Sequence, residues 1–258
     1  MNAKLTFLGT GASLGVPVIG CECPVCLSTN KKNKRTRSSV LIEGLNKTLL
    51  IDCGPDFRMQ ALNQSLKKID GLILTHAHFD HIGGMDDLRA LRLQNAKSLP
   101  TLLSKETGDN LKQCFHYMFE EKNNMFTSKL DFQWINNKYG KCNFINIPIT
   151  YLTFKQTYMN VNGFVFGNLA FITDVKYYEE DIFNYLQEID ILIVSALRFT
   201  SSPMHLSVEE AIDFSKKTSA KQVWLIHISH DLDHEKTNAL LPSNIQIAYD
   251  GLQISFHL

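Results

Sequence analysis

At 258 residues the chain can bury a large core in one layered α/β domain, and its 26 basic residues balance 26 acidic ones at zero formal net charge. That balance supplies no global field for nucleic acid or an anionic membrane surface, which argues against an RNA-binding role. No apolar run has the length of a membrane span, and strand-like sequence begins at once with no room for a signal peptide, so the default expectation is a cytoplasmic protein that does not engage membranes.

In chain order, a strand-like run at 4–8 leads into the Gly-rich stretch Phe7 to Pro17 and then to Cys21, Cys23 and Cys26. The other cysteines, Cys53, Cys114 and Cys142, are scattered. A tight cluster in a cytosolic protein points to metal before disulfide, and three thiolates need a fourth ligand to complete the tetrahedron that structural zinc prefers. The basic cluster Lys31 to Arg37 reads as a solvated loop, with attraction of an anionic substrate or an RNA backbone as the functional alternative. Strands are expected at 38–43 and 47–52, the second ending at Asp52, and a helix at 56–66.

Gly71 to Thr75 reads as a buried strand, and directly after it comes His76-Ala77-His78-Phe79-Asp80-His81. Three imidazoles and a carboxylate in six positions suit borderline metals such as zinc, iron or manganese. A closed structural site would use four ligands on one ion, whereas this run can feed two neighbouring ions from one loop. Such an arrangement activates water and clamps a phosphoryl or carbonyl oxygen, so it reads as a hydrolase motif. Gly83-Gly84 lets the backbone turn away, and helices follow at 85–94 and 105–120. Nothing recruits His116 of the second helix to a site. The segment Phe115 to Trp134, rich in Phe, Met and Asn, reads as a helical insert, with a flap or a homodimer contact as the other readings. Strands at 143–154 and 163–173 precede Asp174, which by itself reads as a helix cap. A helix at 178–187, a strand at 190–194, a helix at 207–218 capped by Ser207 and strands at 221–227 and 245–256 complete one domain over 1–258, without repeats.

The His76–His81 run resembles the metallo-β-lactamase superfamily. The opening Phe7 to Pro17 with Cys21, Cys23 and Cys26, and the closing Leu225-Ile226-His227-Ile228-Ser229-His230 with Tyr249-Asp250-Gly251, resemble its phosphonate-pathway cyclic phosphodiesterase branch. The resemblance implies a four-layer αββα sandwich and a metal-dependent hydrolase, a phosphodiesterase acting on small, including cyclic, phosphodiesters through metal-activated water. It implies His76, His78, Asp80, His81, Asp174 and His227 as ligands of one or two catalytic Zn²⁺ or Mn²⁺ ions, with Asp174 bridging. It also implies Cys21, Cys23, Cys26 and His230 around a structural Zn²⁺. Asp52 would orient ligand histidines, and His205 would protonate the leaving oxygen or hold the phosphate as an imidazole titrating near neutrality. The implied partner is a small phosphorylated substrate or nucleotide.

One residue of that pattern is missing. The turn before the Gly-aromatic strand reads Leu152 to Phe164 and contains no histidine. The second ion keeps Asp80, His81, His227 and the bridge, while the first keeps only His76, His78 and the bridge. Gln156 or Tyr158 offers a poorer substitute for imidazole on zinc. Three readings follow: a two-ion phosphodiesterase, a metal-site-degenerate nucleotide-binding protein, or a hydrolase of another class acting on RNA, a thioester or a lactone.

Overall fold

Runs rich in Val, Ile, Leu and Phe, short and punctuated by Gly, Asn and Asp, fold as strands because branched and aromatic side chains fit a pleated surface buried on one or both faces. The computed structural model describes residues 1–91, 98–120, 127 and 129–258. One sheet contains β1 (Asn2–Gly9), β2 (Ser39–Gly44), β3 (Lys47–Ile51), β4 (Gly71–Ile73), β5 (Leu99–Ser104), β6 (Leu130–Ile135) and β14 (Gln253–His257), in the order β14-β1-β2-β3-β4-β5-β6. The other contains β7 (Tyr139–Phe144), β8 (Ile147–Gln156), β9 (Met159–Phe166), β10 (Leu169–Ile172), β11 (Ile191–Ser195), β12 (Gln222–Ile226) and β13 (Ile245–Ile247), in the order β13-β12-β11-β10-β9-β8-β7. The chain fills the first sheet up to β6, crosses to the second, and returns β14 beside β1.

The two sheets pack face to face through Leu5, Phe7, Ile42, Ile51, Phe164, Phe166, Phe171 and Ile193, all buried. The outer face of the first sheet is covered by Phe57 of the helix Phe57–Asn63, by Ile82 and by Leu111 of the helix Lys105–Cys114. The outer face of the second is covered by Ala211 and Phe214 of the helix Val208–Lys216 and by Ile182 and Leu186. This is the expected αββα sandwich, and no helix among the described residues is long and apolar enough to cross a membrane.

Several boundaries differ from the expectations. The run at 163–173 is the end of β9 plus all of β10, broken at Gly167, whose φ of 53° lies in the left-handed region. The run at 245–256 is split at Tyr249-Asp250-Gly251 into β13 and β14, which belong to different sheets. Part of the expected helical insert is the strand β6, and β5 has no counterpart among the sequence expectations. The C-terminal part of the expected helix at 85–94 and positions 121–126 and 128 of the insert lie outside the described residues. The basic cluster is not simply solvated: Arg35 is buried and donates to Thr10 Oγ1 and the Ala248 carbonyl, both at 2.6 Å, with His234 Nδ1 at 3.2 Å.

Candidate metal centre

The parallel strands β4, β10 and β12 all run to the same edge of the sandwich, so the residues following them meet there. Asp52 after β3, Asp174 after β10 and His227 after β12 have φ of 61°, 55° and 60°. A left-handed non-glycine residue costs about 1–3 kcal/mol, and such strain concentrates where backbone must aim a functional side chain. The His76–His81 loop is seated by glycines: a Cβ on Gly54 would lie 2.1 Å from the Asp80 carbonyl oxygen, and one on Gly84 2.2 Å from that of Gly54. Close approach lets the Cys53 amide donate to the His81 carbonyl at 2.7 Å and the Gly84 amide to that of Cys53 at 2.9 Å.

Asp52 is fully buried and orients two imidazoles. Its carboxylate accepts from the Thr75 amide and hydroxyl, each at 2.8 Å, and from His81 Nδ1–H at 2.6 Å. Because the Thr75 hydroxyl donates to Asp52, it accepts from His76 Nδ1–H at 2.9 Å. Both rings therefore present Nε2 lone pairs to the site. Thr75 is the residue that sequence reasoning passed over; its only signal was its place between the strand and the first histidine.

Asp174 lies at the centre. Its Oδ1 is 3.3 Å from His227 Nε2 and 4.0 Å from His76 Nε2, and its Oδ2 is 3.3 Å from His81 Nε2. Asp80 Oδ2 is 3.4 Å from both His81 Nε2 and His227 Nε2. His76, His78 and Asp174 form one convergent donor set, and Asp80, His81 and His227 another. His205, stacked on His227 with centroids 4.6 Å apart, forms a third with Asp174 and His227. His116 is exposed and joins none of these sets.

The electrostatics fit cations. His81 Nε2 is buried without a hydrogen-bond partner among the described residues, its lone pair facing carboxylate oxygens of Asp80 and Asp174. Lone pairs aimed at anions are repulsive unless a proton or a cation sits between them. Burial opposes the charged ring, yet Asp174, Asp80 and Asp52 outweigh it and hold His81 well above the ordinary imidazole range. His227 is raised in the same way against burial, by Asp174 and Asp80. Burial also opposes the charge on Asp174, but His227 and His81 hold it well below the carboxylate range. His76, by contrast, is pushed well down by burial and by His81. His205 is held at about 4 by burial and by His227, so it is a neutral imidazole at pH 7 rather than the expected near-neutral titrating group.

A separate set stands beside this one. Cys21, Cys23 and Cys26 place Sγ 3.2, 3.6 and 3.5 Å from His230 Nδ1. Sulfur and nitrogen ligands around one tetrahedral zinc are about 3.4–3.8 Å apart; Cys23 and Cys26 stand at that spacing from His230, and Cys21 is about 0.2 Å closer. The Cys26 amide holds the Cys23 thiol down to about 6, while burial pushes Cys26 up to about 11. Thr10 and Ala12 exchange hydrogen bonds with Ile228, tying the N-terminal loop to the segment that carries both His227 and His230.

Comparison with known proteins agrees with this geometry. The family model "Beta-lactamase superfamily domain" matches residues 47–228. A crystallised diphosphatase of the PhnP family superposes with a TM-score of 0.92 at 36% identity, over 99% of this chain and 98% of that one. An octanoyltransferase from Porphyromonas gingivalis is 34% identical over 97% of this chain, which spans about half (51%) of that relative. A ribonuclease Z from Borrelia duttonii is 22% identical over 98% of this chain and 97% of its own length. The superfamily uses divalent metal ions, and this chain belongs to it as a metallo-β-lactamase-fold hydrolase of the PhnP family.

Proposed function

We propose that the protein is a phosphodiesterase for small phosphorylated substrates, cyclic phosphodiesters included, with a two-ion centre bridged by Asp174. The observation that carries this reading is the position of Asp174 between the two donor sets: its Oδ1 lies 4.0 Å from His76 Nε2 of one set and 3.3 Å from His227 Nε2 of the other, while its Oδ2 lies 3.3 Å from His81 Nε2. His76, His78 and Asp174 would hold one ion, and Asp80, His81, His227 and Asp174 the other. Divalent ions bound there would supply Lewis acidity toward phosphoryl oxygens and lower the pKa of water toward neutrality.

The chain's own residues do the remainder. Asp52 and Thr75 fix the tautomers of His81 and His76, so both rings keep their lone pairs for binding. Neutral His205 has its Nδ1 3.5 Å from Asp174 Oδ1, beside the bridge, where a ring N–H can donate to a phosphoryl or departing oxygen. The zero net charge fits a small substrate better than a nucleic acid backbone. Cys21, Cys23, Cys26 and His230 would hold a structural zinc, which would brace the loop carrying His227.

The test is turnover of bis-p-nitrophenyl phosphate and a nucleoside 2′,3′-cyclic phosphate with added Mn²⁺, against Asp80→Ala. The wild type hydrolyses at least one and the variant neither. Absence of turnover across Mn²⁺, Zn²⁺ and Mg²⁺, with nucleotide binding retained, overturns the proposal in favour of a binding protein.

A further inference from the structure

The two donor sets are unequal. One offers two imidazoles, Asp80 and an oxygen of Asp174, whereas the other offers two imidazoles and Asp174 alone. A further polar group borders Asp174 on its Oδ1, the oxygen that lies 4.0 Å from His76 Nε2. Gln156, the last residue of β8, is 1% exposed, and its amide nitrogen lies 3.3 Å from Asp174 Oδ1 and 3.3 Å from His205 Nε2. Tyr158, the other candidate in this turn, is 94% exposed and has left the site. Gln156 is fixed in place by the β8–β9 hairpin, where it pairs with Met159, and by Asn162 on β9, whose amide donates to the Thr75 carbonyl at 2.9 Å. The hairpin is thereby tied to the residue preceding His76.

We propose that Gln156 is the fourth protein ligand of the His76–His78–Asp174 set, through its side-chain carbonyl oxygen, and that it makes this the weaker and harder of the two ion sites. This inference rests on the metal-centre reading above. With no cation between them, the amide N–H donates to Asp174. A half-turn about the soft terminal torsion exchanges nitrogen and oxygen, placing the carbonyl oxygen where the nitrogen now lies. Oxygen ligands at about 2.1 Å from one ion stand about 3.0–3.4 Å from each other, a range that contains the observed 3.3 Å. The carbonyl accepts from His205 only in the Nε2–H tautomer, whereas donation to substrate from Nδ1 needs the other tautomer, so occupancy of this site and the tautomer of His205 are coupled. An amide oxygen suits Mn²⁺ or Mg²⁺ better than Zn²⁺, whereas imidazole favours Zn²⁺. One zinc-retaining site and one exchangeable, harder site are the consequence.

The experiment uses the full chain and counts ions above the equivalent held by the cysteines. Mn²⁺ is titrated by the electron paramagnetic resonance of free Mn²⁺, and Zn²⁺ by competition with a chromophoric chelator, for the wild type, Gln156→His, Gln156→Glu and Gln156→Ala. The wild type is expected to show two affinity classes. Gln156→His tightens the weaker class for Zn²⁺, and Gln156→Glu tightens it for Mn²⁺, each by about 10-fold or more, while Gln156→Ala loosens it by about 10-fold. Folded His and Glu variants that bind the second ion as the wild type does overturn the inference and leave the metal centre standing. A wild type that takes up no ion beyond the cysteine equivalent overturns the metal-centre reading itself.

Discussion

Replacing Asp52 with Asn changes one atom of a buried carboxylate and inverts two imidazoles. Asp52 Oδ1 accepts from the Thr75 amide, and an Asn carbonyl keeps that bond. Oδ2 accepts from the Thr75 hydroxyl at 2.8 Å and His81 Nδ1–H at 2.6 Å; an amide nitrogen there must donate instead. His81 then carries its proton on Nε2, the atom 3.3 Å from Asp174, and loses the lone pair that a metal needs. The Thr75 hydroxyl becomes an acceptor from the amide and turns its own proton toward His76 Nδ1, inverting that ring as well. Loss of one supporting partner of a ligand histidine typically costs about 10–100-fold in metal affinity, or about 1.4–2.7 kcal/mol. Two affected rings place the expected loss at the upper end, about 100-fold. Folding stability moves by only about 1–2 kcal/mol, because a neutral amide avoids the desolvation that raises the Asp52 pKa. Chelator competition for Zn²⁺ and Mn²⁺, alongside urea unfolding, measures both. A folded variant whose affinity stays within about 2-fold of the wild type refutes the role of Asp52 in setting the tautomers.

Three further outcomes are expected. Burial, Arg35 and Lys32 hold His234 at about 4, below its unfolded value of about 6.5, so the unfolded chain takes up the proton first as pH falls. Stability is therefore full above pH 6.5 and declines toward pH 4 by at most about 3 kcal/mol, and His234→Gln flattens that decline in urea unfolding series; an unchanged slope contradicts it. Gly54→Ala drives a methyl into the Asp80 carbonyl, costing about 1–3 kcal/mol and displacing the metal loop, so chelator competition should register weakened ion binding. Phe166→Ala, in the core between the sheets, costs about 3–5 kcal/mol yet leaves metal affinity unchanged, which separates global packing from the site.

The fold class was legible because His76 to His81 are contiguous and sit at the end of an apolar run, a local signal strong enough to name a superfamily. Asp174 and His227 carry no local signal: each is one polar residue after a strand, and only the parallel order β10-β11-β12 brings them together. Their left-handed backbone is invisible in the sequence, since neither is a glycine. β5 was missed because Pro100 and Thr101 interrupt its apolar pattern, and β6 because Phe and Trp at alternate positions fit a helical insert as readily as a strand. Arg35 seemed one member of a charge run, and only the fold reveals the buried acceptors that hold it: Thr10, Ala248 and His234 lie far from it in sequence. Gln156 was legible as a poor substitute for a histidine, but its burial against Asp174 was not.

Anomalous diffraction from crystals grown with Mn²⁺ and Zn²⁺, recorded at both absorption edges, tests the two-ion centre most directly. The expected maps show one ion on each side of the Asp174 carboxylate, with a zinc-only peak among Cys21, Cys23, Cys26 and His230. Ions bound elsewhere, with no peak in contact with Asp174, contradict it.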